Sequence, residues 1–492
     1  MQLQFQKTLL PCLRTLLRSQ ESQEQTLEVR ISDGMPDIGS VLGAWGQVIL
    51  RGKEWQSDAL TVSGGTMVWV QYIPEEGGAP QTMEAWVPFQ MHWNIPPTDH
   101  DGVMLTQCAI KSVDARSTSA RKMMLRTNIT CLLQAYARAQ KDLYQPVDVP
   151  KDLQLHTSSY PILLPAEAGE KAFSLEESFP LSGMNGARVI GSFFQPQITE
   201  NRIMGDKLIF RGNGQLHILY ETQEGTLGSA DFDLPFSQYS ELDQTYDEDA
   251  QVCLWPAVTT LETEIGDSQL YVRVGLAAQF TIRHRPVIQV VDDAYSPNRS
   301  VDLQKEVLEL PGILESKTHV IRAQTNDPAD AMRALTTQIL MQPASESNDN
   351  VQLKANFHTL TSDFDGNYRC YTEKWEETLT IPVADNVRLE TSLWPVSHPK
   401  STMISGALQT QAELELRTDA VLDTGIPMVT GLTLGEVQRP DPARPSLILR
   451  RTGEQSLWEL AKTSGSTVED IKRVNRLEEE PEPDQMLLIP VL

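Results

Sequence analysis

Side chains that exchange protons, attack a carbonyl or hold a metal set what chemistry a chain can do. The eight histidines are His92, His100, His156, His217, His284, His319, His358 and His398. None stands in an H-E-x-x-H pattern or at a short His/Cys ligand spacing. His217 alternates with its neighbours as a strand residue does, which gives it a structural or surface place. The five cysteines, Cys12, Cys108, Cys131, Cys253 and Cys370, are scattered and never form C-x-x-C. They read as free thiols of a reducing compartment. No G-x-S-x-G, P-loop or G-x-G-x-x-G occurs. Gly212-Asn213-Gly214 and its counterpart Gly64-Gly65 read as tight turns. Asp247-Glu248-Asp249 is either a solvated acidic loop or a metal site, and in so acidic a chain the loop is preferred. A Cys/His nucleophile pair would meet only in space, and no local signature points to one. The expectation is a protein that is not an enzyme, with no catalytic, cofactor-binding or metal-binding residues.

What remains is binding, and charge narrows it. Lysine and arginine number 41 against 66 acidic residues, a net charge of -25. Nucleic acid and anionic membranes need a basic footprint that this chain lacks. The composition is globular, at 40% hydrophobic and 22% charged residues. A chain of 492 residues exceeds one ordinary core, so several domains are expected. Leu9, Leu10, Leu13, Leu16 and Leu17 are broken up by Pro11, Arg14 and Arg18, unlike a signal peptide. No run reaches the roughly 18–20 apolar residues of a membrane span. A cytoplasmic protein without a transmembrane segment is expected.

The stretch most plainly built for recognition is Ser446 to Leu492. Leu447 and Leu449 alternate as in a half-buried strand. Ser456 and Glu459 form a capping box ahead of Leu457, Leu460 and Ala461 on one helical face, and Gly465 suits the helix end. Thr467 and Asp470 cap a second helix, with Val468, Ile471 and Val474 along one side. Met486 to Ile489 is a second strand, stopped by Pro490. This βααβ order resembles the LysM domain, a family that commonly binds N-acetylglucosamine polymers. Asp484 is a departure, since the family usually has Gly before Gln485. The resemblance implies a ligand groove between two loops. Here they carry Thr452, Gly453, Glu454 and Gln455, and Asn475, Arg476, Leu477, Glu478, Glu479 and Glu480 on towards Pro483. The carboxylates of Glu478, Glu479, Glu480 and Glu482 either favour a basic partner over anionic peptidoglycan or form a solvated acidic loop. Trp458 and Leu457 are read as core of the module.

Elements that position such a module must come from the first 440 residues, which repeat. Val87-Pro88-Phe89 recurs as Leu234-Pro235-Phe236 and as Ile381-Pro382-Val383, with the prolines 147 residues apart each time. Leu60-Thr61-Val62-Ser63-Gly64 matches Leu208-Ile209-Phe210-Arg211-Gly212 at an offset of 148, and Tyr72 matches Tyr220. A third, looser unit returns Leu254-Trp255-Pro256 as Leu393-Trp394-Pro395, and Leu276 with Arg285 as Leu408 with Arg417. It carries an insertion, Asn326 to Met341, whose Pro328, Ala331, Leu335 and Ile339 predict a helix. Period-two alternation and closely spaced glycine turns elsewhere predict a mainly β protein of tandem antiparallel sandwich or barrel-like domains. The expected division is residues 1–145, 146–298 and 299–438, a proline-rich linker at 439–445, and the βααβ module at 446–492.

Pro36-Asp37-Ile38 through Leu42, Gln47-Val48-Ile49, Leu60 to Gly64, Tyr72 and Val87-Pro88-Phe89 resemble the SPOCS domain of spore-coat and sporulation proteins. Asp293-Ala294-Tyr295-Ser296-Pro297 also looks like a segment of that family. SPOCS units followed by a LysM module are similar to the coat-morphogenesis proteins that bind the stage IV sporulation protein A, a coat basement ATPase. What the resemblance implies is an adaptor in the mother-cell cytoplasm, recruited to the forespore surface, with that protein as partner. The rival reading is a peptidoglycan- or N-acetylglucosamine-binding cell-wall protein. An enzyme with an unrecognised site is the third.

Overall fold

Alternating apolar residues and frequent turns produce strands almost throughout, as expected. The computed structural model describes the chain except residues 98–101, 182–185, 267, 311, 348, 383–386, 423–424, 439–444, 454, 480, 483 and 492. The first unit holds β1 (Gln4–Arg30), β2 (Ile38–Trp55), β3 (Ala59–Pro74), β4 (Gln81–Asn94), β5 (Val103–Ser119) and β6 (Lys122–Val147). Two antiparallel sheets result, ordered β1-β6-β5 and β2-β3-β4. The second unit holds β7 (Gln154–Tyr160), β8 (Leu164–Pro180), β9 (Arg188–Met204), β10 (Lys207–Glu221), β11 (Leu227–Glu241), β12 (Gln251–Gly266), β13 (Gln269–His284) and β14 (Ile288–Tyr295). Its sheets are β8-β13-β12 and β9-β10-β11, the same two orders again, with β7 pairing β14.

The third unit holds β15 (Val301–Leu308), β16 (Ile313–Pro328), β17 (Arg333–Met341), β18 (Ser345–Ser347), β19 (Asn350–Ser362), β20 (Tyr368–Thr380), β21 (Val387–Pro395), β22 (Lys400–Ile404), β23 (Ala407–Leu422) and β24 (Ile426–Leu434). Sheets β16-β23-β21 and β17-β19-β20 repeat the plan, with β18 and β22 added at their edges and β15 pairing β24.

The repeat is visible in strand register. Gly64 faces Phe89 across β3–β4, and Gly212 faces Phe236 across β10–β11. Each phenylalanine ring lies over the glycine opposite, so that a Cβ on Gly64 would meet the Phe89 ring at 2.8 Å and one on Gly212 would meet the Phe236 ring at 2.4 Å. A bare backbone and a covering aromatic make one device, used twice.

Three expectations for the third unit need correction. Asn326 to Met341 is not a helix: β16 runs to Pro328 and β17 begins at Arg333. The i, i+4 spacing of Ala331, Leu335 and Ile339 misled, because Leu335 to Met341 is a continuous buried run with two β-branched threonines. Pro382 does not repeat Pro88 and Pro235, which lie within β4 and β11. It falls past the end of β20, and its neighbour Val383 lies outside the described residues. Trp255-Pro256 and Trp394-Pro395 do hold matching places, but their partners are Gln279-Ala278 and Glu415-Leu414. Leu276 therefore corresponds in register to Ala412, not Leu408.

The sandwiches close on one another through glutamines. Gln47 of β2 accepts from the Phe194 N–H of β9 at 3.0 Å, and Gln195 of β9 donates to the Pro395 carbonyl of β21 at 2.9 Å. Gln338 of β17 binds both the N–H and the carbonyl of Gly46 in β2, at 3.0 and 2.7 Å. First unit thus grips second, second grips third, and third grips first. A cavity of about 160 Å³ lies where they meet, lined in part by Gln47, Thr106, Gln195, Gln338 and Trp394. Away from it, the outer parts of β1 and β6, β7 with β14, and β15 with β24 form three two-stranded ribbons. They pack together through Cys12, Ile162, Ile288, Val290, Leu308 and Met428. All five cysteines are free thiols. No helix among the described residues is long and apolar enough to cross a membrane.

Candidate functional site

The C-terminal module is β25 (Leu447–Arg451), α1 (Leu457–Ser464), α2 (Val468–Asn475) and β26 (Met486–Pro490), with β25 antiparallel to β26. Its helices start and stop where the sequence predicts. Ser456 Oγ accepts from the Glu459 N–H at 3.3 Å, and the Ser456 N–H donates to Glu459 at 3.2 Å. Gly465 ends α1 in the left-handed region at φ 64°, and Thr467 caps α2 by accepting from Asp470 N–H at 3.0 Å. Leu457, Leu460, Ala461, Ile471, Leu487 and Ile489 form the buried core. Asp484 has φ 67°, the conformation for which glycine is best suited, and an aspartate tolerates it better than most residues.

Two faces differ from expectation. Ile448, not Leu447 or Leu449, turns toward the core, and Val474 is 41% exposed. Both sides of β25 are apolar, so period two alone does not tell inner from outer. Trp458 is only half-buried and points out of the module. Its Nε1 donates to Asp293 at 2.9 Å, and its ring packs edge-on against Tyr295 and near His156, with centroids 4.8 and 5.0 Å away.

Those contacts join module to body. Lys462 Nζ reaches both Asp293 oxygens, at 2.9 and 2.7 Å. Tyr295, itself buried, sits in the module's core cluster and donates to the Ser466 carbonyl at 3.0 Å. Asp292 next door accepts from Ser158 and bonds His156, both at 2.6 Å. Burial raises the Asp293 carboxyl, but Lys462, Trp458 and the Lys305 charge outweigh it and hold it below the ordinary carboxylate range. Burial pushes the Tyr295 hydroxyl up to about 12. The segment Asp293 to Tyr295 is thus the seat of the module. Its family-like sequence was the signal, but nothing in it named Trp458 and Lys462 as partners.

The residues singled out for the groove come together at the other end. Thr452 is buried and ties the loops: its N–H donates to Gln485, its hydroxyl to Glu482, and its carbonyl accepts from Asp484. Gly453 is exposed, and Gln455 accepts from Arg450 at 2.9 Å. Asn475 is a brace: its amide donates to the Ile471 and Leu488 carbonyls and accepts from Leu488 N–H. Arg476 closes α2 at φ 57°, and Leu477 packs on the module core. Glu478 and Glu479 are exposed. Glu454 and Glu480 lie outside the described residues. Among the described residues, the bonds that seat the module on the β body come from Trp458, Lys462 and Ser466 and not from these loops.

Elsewhere, His217, His358 and His398 pack against other rings. His217 bonds Asp231 at 2.7 Å and stacks on His398 at 4.7 Å. Among the described residues no group of three or more His, Cys, Asp or Glu is placed to hold a metal.

A family model described as "SipL, SPOCS domain" matches residues 187–266. The match spans β9 to β12. It falls on the second unit, displaced by one repeat from the first-unit residues that carry the resemblance in sequence. The match supports a SPOCS domain over that part of the second unit, which suggests a sporulation-related protein. No curated protein and no solved structure matches the chain.

Proposed function

We propose that this protein is a non-enzymatic sporulation adaptor. Its C-terminal module, resembling LysM, binds a coat basement protein resembling the stage IV sporulation protein A, and its β body helps localise or assemble the coat on the forespore. The carrying observation is that Asp293 and Tyr295 seat the module on the body while its two loops, with Glu478, Glu479 and Glu482 exposed, stay outward. An acidic rim speeds encounter with a basic surface and repels anionic peptidoglycan.

The test compares binding of the full chain to that coat basement protein and to purified peptidoglycan. Replacing Glu478, Glu479, Glu480 and Glu482 by Lys should slow association with the protein and remove its salt dependence without unfolding the chain. Tight, charge-independent binding to peptidoglycan with none to the protein would replace the adaptor by the cell-wall reading.

A further inference from the structure

The sheet of the C-terminal module has two faces, and both are apolar except at one end, where Arg450 stands opposite Leu487 on the inner face and Arg451 opposite Met486 on the outer. Ile448, Leu487 and Ile489 point inward to the helices. On the outer face Leu449 stands opposite Leu488, flanked by Leu447 and Met486. Their exposures are 61%, 37%, 49% and 51%. A small antiparallel sheet ordinarily presents polar residues to water on its free face. Four large apolar side chains side by side on a five-residue ribbon are not the single scattered residues of an ordinary surface.

We propose that this outer face docks an amphipathic helix of a basic partner protein. Its apolar stripe would cover Leu447, Leu449, Met486 and Leu488, and its Lys or Arg residues would meet the acidic loop at the Met486 end. The inference rests on the protein-binding reading of the module and names the surface and the occupant's chemistry.

Three observations select the occupant. First, the loop that runs into Met486 is acidic. Glu478, Glu479 and Glu482 are exposed and carry no ion pair among the described residues, whereas Asp484 is held by Arg451 at 3.3 Å. Second, strand addition at β26 is blocked, because the Asn475 amide already satisfies both the N–H and the carbonyl of Leu488 on that edge. With that edge taken, the apolar face is the surface beside β26 left to an occupant, and an apolar stripe on a helix suits a face. Third, a second copy of this chain would bring two acidic loops together in a molecule of net charge -25, which like-charge repulsion opposes.

The experiment uses the full chain, the double variant Leu449→Glu/Leu488→Glu, and two labelled helical peptides with the same leucine stripe, one flanked by lysines and one by glutamates. Fluorescence anisotropy should show the lysine peptide binding the native chain more weakly as salt rises. The double variant should bind about tenfold more weakly or worse, as expected for loss of central apolar anchors. Unchanged hydrogen exchange in α1 shows the variant folded, and Leu449→Gln/Leu488→Gln serves if it is not. The proposal is overturned if the lysine peptide fails to bind, binds the double variant equally, or binds no better than the glutamate peptide. It is also overturned if the native chain dimerises and the double variant does not. A parallel measurement with the coat basement protein separates the two readings. Equal binding by native chain and double variant would discard this surface and keep the adaptor. Binding only to peptidoglycan would discard the adaptor, leaving the peptide result to decide the surface.

Discussion

Asp293, at the end of a β-ribbon, and Lys462, on a helix 169 residues later, form an ion pair at 2.7 Å that Trp458 completes from the same helix. Charged hydrogen bonds of this kind contribute about 1.5–3 kcal/mol each when partly shielded. The tie orients the module on the body.

Asp293→Ala should therefore loosen the module without unfolding it. Hydrogen exchange in α1 and in β14 should quicken by about tenfold or more, equivalent to roughly 1.4 kcal/mol. The core strands, β3 and β10 among them, should exchange as before. Equal exchange in α1 of both proteins would mean that Tyr295 and Ser466 hold the module unaided.

The glycine–phenylalanine device predicts matched costs in the first two units. At Gly64 a Cβ would sit 2.4 Å from the Ile49 carbonyl, and at Gly212 it would sit 2.2 Å from that of Gln197. Both neighbours are backbone and cannot step aside. Gly64→Ala and Gly212→Ala should each destabilise by about 1–3 kcal/mol, as overpacking does. At Gly191 the nearest atom is 3.5 Å away, so Gly191→Ala is the control and should change stability little. Urea denaturation of the three variants checks this.

How legible was all this in the chain? The tandem plan could be read because Leu60, Tyr72 and Pro88 return at nearly fixed intervals, and fixed intervals survive when side chains drift. The helices of the C-terminal module could be read because Ser456, Glu459, Thr467 and Gly465 act locally, through caps and φ. What stayed hidden was long-range. Leu335 to Met341 looks helical by spacing, and only burial between neighbouring sheets makes it a strand. The Gln47, Gln195 and Gln338 grips join units far apart in sequence, and a glutamine carries no pattern that announces its partner. Among the candidate groove residues, Thr452 and Asn475 prove to be braces. The resemblance put them in the loops at the ends of the helices, but their roles depend on hydrogen bonds to Glu482, Gln485 and Leu488.

Between the second and third units lies a buried ion pair. Arg283 and Asp419 are each 5% exposed at the side chain and bond through two contacts of 3.0 Å, with Ser316 donating to Asp419 at 2.5 Å. Removing one partner strands the other's charge, so Arg283→Ala or Asp419→Asn should cost about 3–5 kcal/mol. Arg283→Met with Asp419→Leu should recover part of that loss, since the pair's own charges are both gone and only Arg417, which also faces Asp419, is left without its carboxylate. Burial raises the Asp419 carboxyl, but the Arg283 charge and hydrogen bonds, with Arg417 and Ser316, outweigh it and hold it below the ordinary value. Its contribution is therefore complete above the unfolded carboxylate value near 4 and is lost as pH falls further. Denaturation of single and double variants at neutral pH measures the pair.

The last prediction concerns mild acid. His358 packs behind Trp45 with ring centroids 5.0 Å apart, and burial lowers its ring to about 4. Burial also lowers His398 to about 3, and the neighbouring His217 adds to the shift. The folded protein thus refuses protons that the unfolded chain accepts below about 6.5. Stability falls as pH drops from about 6.5 toward 4, by up to about 1.4 kcal/mol per pH unit for each ring. Glu415 acts in the opposite sense, because burial raises its carboxyl and protonation then favours the fold. The slope of the native protein alone is therefore ambiguous, and the comparison must be with variants. His358→Gln and His398→Gln, measured by urea denaturation at pH 7 and at pH 5, should each lose less stability on acidification than the native chain. A slope unchanged by both substitutions would show that neither histidine is held neutral by the fold.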